Sequence, residues 1–157
     1  MSYRQIDGGV TAAQGFLAAG VEAGIKYDNR LDMAIIYSEA PCVCAGTFTS
    51  NVVKAAPVLW DRKLVEDGQQ VQAVVVNAGI ANACTGDEGY RYCQQTADAA
   101  AKALSIDASA VCIASTGVIG MQLPVEKLVL GVERLARRLS DTREAGNLAA
   151  QAIMTTD

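Results

Sequence analysis

The chain has 157 residues, 51% of them hydrophobic and 19% charged, which is enough apolar material to bury a core and excludes a disordered composition. The formal net charge of -4 comes from 13 Lys and Arg against 17 Asp and Glu residues with no basic stretch, so we expect no nucleic-acid partner. The chain contains no histidine, which excludes a Ser-His-Asp triad, a Cys-His pair and imidazole metal ligands within it.

The first half of the chain predicts strands followed by a helix. Residues 32–37 and 43–49 have strand composition, and a turn at residues 39–41 between them predicts an antiparallel pair. A short helix is predicted from Pro57 to Asp67, with the proline in its first turn. Residues 71–76 then predict a strand that is buried on both faces, because nearly all of them are apolar.

A strand–helix–strand unit occupies the centre of the sequence. Thr85 and Glu88 have the spacing of a capping box, which predicts the start of an Ala-rich helix that runs to about Leu104. A further apolar strand is predicted at residues 110–114. The helix has the length that a crossover between parallel strands requires, so residues 71–76 and 110–114 are expected to be parallel.

Two more helices are predicted in the last third. One covers residues 124–139 and has Pro124 in its first turn. The other begins at the Asp141-x-x-Glu144 pattern and ends near Met154. The order of elements predicts an α/β fold, a mixed sheet with packed helices, and a single domain over residues 1–157.

The five cysteines and the amino-terminal segment bear on the cellular compartment. An odd number of cysteines in apolar or helical surroundings predicts reduced thiols that hold neither a disulfide nor a metal, at Cys42, Cys44, Cys84, Cys93 and Cys112. The first residues lack the features of a leader peptide, and no apolar run is long enough to span a membrane. We therefore expect a cytoplasmic protein that does not contact a membrane.

Two glycine-containing loops are candidates for a functional site. Residues 77–86 and 115–120 each follow a predicted strand, and parallel strands would open both loops at the same edge of the sheet. In the second loop, the Gly117 N–H and the Thr116 hydroxyl are donors of the kind that stabilise a developing oxyanion. Ordinary turn chemistry is the alternative explanation for both loops. Asn82 in the first loop could either bind a ligand or stabilise the turn.

Six segments in this order resemble the ornithine acetyltransferase family. They read GVTAAQGF at 9–16, AGTFTSN at 45–51, KAAPV at 54–58, VVNAGIANACTG at 75–86, ASTGVIG at 114–120 and AIMTTD at 152–157. The resemblance covers essentially the whole chain. It implies an α+β layered sandwich of the ornithine acetyltransferase/DmpA-like type. It also implies that the chain is the N-terminal, α-chain portion of a longer self-cleaving precursor and incomplete without the β chain.

The resemblance further implies an acetyl transfer from N-acetylornithine to glutamate. In this family the acetyl group passes through a threonine that becomes the N-terminus of the β chain after autocatalytic cleavage. The α-amine of that threonine is the nearby base, which is consistent with a chain that has no histidine. The working unit is an α2β2 heterotetramer, there is no cofactor, and bifunctional members also use acetyl-CoA as a co-substrate.

The family's site residues carry over to positions with matching motifs. Thr116 and Gly117 match the oxyanion hole, and a threonine of the Thr155-Thr156 pair, for which we prefer Thr155, matches a substrate-binding residue. The chain departs from the family at Ala78 and Ile80, where serine and asparagine are usual. It also has Ala13-Gln14 at a position where Pro-Lys is common. The nucleophilic threonine and a substrate lysine of the family are expected beyond residue 157, so we expect this chain alone to be inactive.

Two other classes of function are alternatives to the acetyltransferase interpretation. A truncated noncatalytic module would fold or associate without a complete active site. A nucleotide-binding domain is suggested by the strand, glycine loop and helix of residues 71–104, but the chain has neither a G-x-G-x-x-G nor a G-x-x-x-x-G-K-[ST] motif.

Overall fold

The computed structural model describes residues 3, 4, 6 and 8–155, and its centre is a sheet of strands β1 (Phe16–Val21), β2 (Met33–Val43), β3 (Gln70–Asn77) and β4 (Val111–Ser115). The strand order is β1-β2-β3-β4. The first two pairs are antiparallel and β3 is parallel to β4. The predicted α/β class with a mixed sheet is therefore confirmed.

The helices are α1 (Ala56–Glu66), α2 (Gly86–Leu104), α3 (Val125–Ala136) and α4 (Arg143–Ala152). Helix α2 connects the parallel strands β3 and β4, which confirms the predicted crossover. Pro57 lies in the first turn of α1, as predicted, since a proline there removes no intrahelical hydrogen bond. No helix in the described part of the chain is long and apolar enough to cross a membrane.

The core lies on both faces of the sheet. On one face, Cys93 and Ala97 of α2 and Val132 and Leu135 of α3 pack with strand residues that include Val75 and Ile35. On the other face, α4 packs closely through Ala149 and Ala152 against Ala18 and Ala34. Gly20 permits this close approach, because a Cβ at that position would lie 2.3 Å from the carbonyl oxygen of Leu148.

Helix α1 lies beside β4 and contacts its outer edge through two side chains. The Trp60 indole N–H donates to the carbonyl oxygen of Val111 at 2.9 Å. The Asp61 carboxylate accepts from the backbone N–H of Ile113 at 2.9 Å. Both backbone groups point away from β3, so the side chains of α1 satisfy them where no further strand is present in the described structure.

The predicted hairpin at residues 32–49 is wrong. A single strand, β2, runs through the predicted turn at residues 39–41, and residues 44–50 form no strand. The pairing of β2 with β3 shifts register between Tyr37 and Cys42. Pro41 lies within this irregular stretch, where its missing N–H removes no bond from the ladder. The proline therefore marks a bulge in one strand, whereas the sequence analysis took it as the end of that strand.

Strand β3 is not buried on both faces. Ala73, Val75 and Asn77 are buried toward α2 and α3, while Val74 and Val76 on the other face are only partly buried. The alternation has the period of 2 that is typical of a strand with one fully covered face. The largely apolar sequence of residues 71–76 therefore does not correspond to burial on both faces within this chain.

The helix starts also differ from the predicted capping patterns. Thr85 precedes α2, but its hydroxyl donates to the Asn82 side chain at 2.7 Å and makes no cap. Thr142 is the N-cap of α4 and accepts from the Ala145 N–H, whereas the sequence pattern pointed to Asp141. The helices are in the predicted places, and different side chains begin them.

Candidate active site

The two glycine-containing loops meet at the carboxyl ends of β3 and β4, as the parallel pairing requires. The Thr116 N–H donates to the carbonyl oxygen of Asn77 at 2.9 Å, and the Val118 N–H donates to the carbonyl oxygen of Gly79 at 3.1 Å. The Ala81 N–H donates back to Val118 at 2.9 Å. The ladder between the two strands therefore continues into the loops and fixes one loop against the other.

Side chains at the loop crossing add to this rigidity. The Asn77 side-chain amide is buried and donates to the carbonyl oxygen of Ile80 at 2.8 Å. The Ser115 hydroxyl donates to the Asn77 side-chain oxygen. Asn77 therefore links both loops at the point where the chain leaves the sheet. A site built on these loops is held by the sheet itself.

Gly117 lies at the closest approach of the two loops. Its φ is +131°, and a Cβ would lie 2.3 Å from the carbonyl carbon and 2.4 Å from the carbonyl oxygen of Gly79. Only glycine fits this position, because the obstructing atoms belong to the backbone. Within residues 8–155, neither the Gly117 N–H nor the Thr116 hydroxyl has a hydrogen-bond partner.

A small cleft opens beside Gly117. Its volume is about 60 Å³, and its lining is formed by Lys26, Tyr27, Arg30, Asp32, Ala78, Gly79, Gly117, Met154 and Thr155. The structure thus brings together two of the residues that the resemblance pointed to, Gly117 and Thr155. Thr116 is half-buried next to this cleft and does not line it. Thr156 lies outside the described residues.

One wall of the cleft comes from the connection between β1 and β2, which the sequence analysis did not single out. The buried Asp32 carboxylate accepts from the N–H groups of Ala23 and Ile25, both at 2.6 Å. The Asp32 carbonyl oxygen accepts from the Ala78 N–H at 2.8 Å. Asp32 therefore fixes this connection to the first glycine-containing loop. The available signal was an acidic residue placed directly before an apolar strand and shortly after Lys26 and Arg30.

The Asn82 side chain is used inside the first loop. Its amide donates to the carbonyl oxygen of Gly89 at 2.8 Å and contacts the Cys93 sulfur at 3.3 Å, while its oxygen accepts from Thr85. All of its polar atoms are thus satisfied by the protein and buried. Of the two interpretations left open by the sequence, the structure supports the turn-stabilising one.

A scan against models of protein families matches residues 17–157 to the ArgJ family. One curated relative, arginine biosynthesis bifunctional protein ArgJ 1 of Clostridium acetobutylicum, is 49% identical over 148 residues, which are 94% of this chain. The chain belongs to the ArgJ family. The ArgJ protein of Gloeobacter violaceus is 46% identical over 155 residues, 99% of this chain. The chain spans 36% and 38% of the length of these two relatives.

Solved ArgJ structures have the same fold. A crystal structure of ornithine acetyltransferase from Mycobacterium tuberculosis in complex with ornithine matches with a TM-score of 0.91 at 47% identity, covering 96% of this chain and 80% of that one. ArgJ of Bacillus halodurans matches with a TM-score of 0.89 at 37% identity, covering 96% of this chain and 77% of that one. The ornithine acetyltransferase type of fold expected from the resemblance is therefore confirmed.

A partly buried acid, Asp61, lies on α1, and the two thiols with the most strongly raised pKa lie on α2 and β4. Burial raises the pKa of the Asp61 carboxyl from 3.8 to about 6, although its hydrogen bond from Ile113 acts in the opposite direction. Burial, followed by the negative charge of Asp61, raises the pKa of Cys93 and Cys112 from 9.0 to about 12. These thiols are protonated at neutral pH and do not line the cleft, so they are not candidates for a nucleophile.

The cysteines show no arrangement for a metal. All five are free thiols, and the described residues contain no group of three or more His, Cys, Asp or Glu side chains that could hold a metal ion. The polar side chains that line the cleft are those of Lys26, Tyr27, Arg30, Asp32 and Thr155.

Proposed function

We propose that this chain is the α-chain portion of a self-cleaving ornithine acetyltransferase and supplies its oxyanion hole. The observation that carries the proposal is a pair of donors, the Thr116 hydroxyl and the Gly117 N–H, which have no partner among the described residues and lie at the loop crossing beside the cleft. Donors that are fixed before the reaction stabilise a developing negative charge without reorganisation. Membership of the ArgJ family supports acetyl transfer as the reaction that generates this charge.

The proposed reaction has two halves. A threonine hydroxyl outside this sequence attacks the acetyl carbonyl of N-acetylornithine, and the α-amine of the same threonine takes the hydroxyl proton. The carbonyl oxygen becomes an oxyanion that accepts from Thr116 and Gly117. Collapse of the intermediate breaks the C–N bond, the proton passes to the leaving nitrogen, and ornithine departs. The amine of glutamate then attacks the acetyl-threonine ester and releases N-acetylglutamate and the free threonine.

Thr155 is proposed to contact the substrate, because it lines the same cleft as Gly117. The cleft is small, about 60 Å³, so we propose that it holds only part of N-acetylornithine. We propose that a β chain of the same precursor completes the pocket in an α2β2 heterotetramer. Acetyl-CoA is proposed as a second donor, because it would form the same acetyl-threonine at the same oxyanion hole.

The test is the Thr116→Val substitution in the complete enzyme that contains this segment. Valine keeps the shape and removes one donor, so kcat is expected to fall by ~10²–10³-fold while KM for N-acetylornithine changes little. Cleavage of the variant is confirmed by mass spectrometry before its kinetics are measured. Thr96→Val is the matched control, because the Thr96 hydroxyl donates to a carbonyl within α2 and does not line the cleft.

Two results would count against the proposal. A fully cleaved Thr116→Val enzyme with kcat within a few fold of the unsubstituted enzyme would show that Thr116 only shapes the loop. The 157-residue chain alone should not transfer acetyl groups, and turnover by that chain, free of any β chain, would contradict the division of roles.

A further inference from the structure

The cleft contains two cationic side chains that have no carboxylate partner among the described residues. Lys26 and Arg30 are both half-buried and line the cleft. The ion pairs of the described chain lie on α1 and α2 and involve neither residue. Arg30 donates to the carbonyl oxygen of Met154 at 2.7 Å, and Lys26 lies over the Tyr27 ring at 4.8 Å from its centroid. Two positive charges therefore face one small cavity, and neither forms an ion pair within the described part of the chain.

The buried acid Asp32 lines the same cleft, and its carboxylate is bound to backbone groups. Both carboxylate oxygens of Asp32 accept backbone N–H groups, from Ala23 and Ile25, and Asp32 forms no ion pair with Lys26 or Arg30. The hydrogen bonds of Asp32 instead fix the connection that carries both cations. Two cations against the one carboxylate of Asp32 leave the lining of the cleft with a formal charge of +1, although the whole chain has a net charge of -4.

The position of Lys26 depends on close packing against the first glycine-containing loop. A Cβ at Gly79 would lie 3.1 Å from the Cβ of Lys26, so glycine allows the lysine stem to lie against this loop. Gly79 also contacts Gly117, the proposed oxyanion donor. The cation and the donor are therefore positioned by one backbone segment.

We infer that Lys26 and Arg30 form a binding subsite for the α-carboxylate of the amino-acid substrates. This inference rests on the proposed function. In an N-acetylated amino acid, three bonds separate the acetyl carbon from the carboxylate carbon, which limits their distance to about 4 Å. A substrate whose acetyl oxygen binds at Gly117 therefore has its carboxylate close enough to lie in the same cleft, which Gly117, Lys26 and Arg30 all line. N-acetylornithine and glutamate share this α-carboxylate next to the reacting nitrogen, so one subsite serves both halves of the reaction.

The first test is binding to the 157-residue chain, followed by NMR of its backbone amides. N-acetylglycine carries the carboxylate, and N-acetylglycinamide is its neutral counterpart of nearly the same shape. Only N-acetylglycine is expected to shift the resonances of Lys26, Arg30 and Gly117, and a Lys26→Met, Arg30→Gln double variant is expected to lose these shifts. Equal shifts with both probes, no shift with N-acetylglycine, or shifts that persist in the double variant would overturn the inference.

The second test is kinetic and uses the complete enzyme. Lys26→Met should raise KM for N-acetylornithine by about 10- to 100-fold, as expected for the loss of a hydrogen bond to a charged group, and should change kcat far less. Lys102→Met is the matched control, because Lys102 is exposed on α2 away from this cleft. An unchanged KM would overturn the carboxylate subsite and leave the acetyl transfer intact. If the complete enzyme binds the carboxylate specifically but does not transfer acetyl groups, the subsite is supported and the proposed function is contradicted instead.

Discussion

The contact between the two strand-exit loops predicts that Gly117→Ala is strongly destabilising. The added Cβ would lie 2.3 Å and 2.4 Å from the carbonyl carbon and oxygen of Gly79, and 2.7 Å from the nitrogen of Ile80. Carbon atoms in favourable contact are about 3.5–4.0 Å apart, so the loops would have to separate by more than ~1 Å. No rotamer change relieves the overlap, because all three atoms belong to the backbone.

The expected cost has two parts. Separation of the loops breaks one or more of the hydrogen bonds at the crossing, each with a net value of ~0.5–1.5 kcal/mol. The φ of +131° adds about 1–2 kcal/mol for a residue with a Cβ. With two of these hydrogen bonds lost, we expect Gly117→Ala to lower the free energy of unfolding by about 2–5 kcal/mol.

Gly120→Ala is the matched control in the same loop. Gly120 also has a positive φ, of +85°, but a Cβ there would have no atom within 4 Å. Its expected cost is therefore only the conformational part, about 1–2 kcal/mol. Urea unfolding followed by circular dichroism measures both variants, and each kcal/mol corresponds to a change in Tm of about 2–4 °C for a chain of this size. Equal stabilities of the two variants would refute the steric argument.

Three further predictions concern the fold. Thr142→Ala should cost about 1 kcal/mol of stability through loss of the α4 cap, whereas Asp141→Ala should cost clearly less. If urea unfolding gives the reverse order, Asp141 is the cap, as the sequence pattern predicted. Asn82→Ala should lower the free energy of unfolding by about 2–4 kcal/mol, because it leaves buried polar partners unsatisfied. Asn147→Ala, on the exposed face of α4, should change it by no more than ~0.5 kcal/mol. Similar decreases for the two variants would contradict the role of the buried network. The Asp61 pKa is higher in the folded chain, about 6, than the ordinary value of 3.8, so the folded state binds the proton more tightly and stability is lost as pH rises from about 4 to about 6. Asp61→Asn should remove this loss, of the order of 1 kcal/mol after solvent screening, and a variant with an unchanged slope of stability against pH would show that another group titrates.

The helices and the parallel pair were predictable because their signals are local. Pro57 in the first turn of α1, the Ala-rich sequence of α2 and the apolar strands on either side of it each specify their element within a few residues. The crossing of the two glycine-containing loops then followed from the parallel pairing. The long strand β2 was missed because Pro41 gives a local turn signal. The bulge that accommodates this proline depends on pairing with β3, which begins only at Gln70.

The cationic wall of the cleft was not predictable from sequence for a different reason. Arg30 contacts the carbonyl oxygen of Met154, a residue 124 positions later in the chain, and only the packing of α4 against the sheet brings the two together. No periodicity or motif encodes a contact of this kind. Asp32 illustrates the same point, since its role depends on where the backbone of Ala78 lies.

The two hydrogen bonds from α1 to β4 have a consequence for how the chain behaves among its own copies. An uncovered edge strand offers a row of unpaired backbone groups on which a second molecule can add a strand, and such pairing leads to aggregation. Here the indole of Trp60 and the carboxylate of Asp61 already occupy the Val111 carbonyl and the Ile113 amide. An incoming strand would have to displace both side chains before it could pair. Helix α1 therefore acts as a stop at this edge and disfavours polymerisation of newly folded chains through β4.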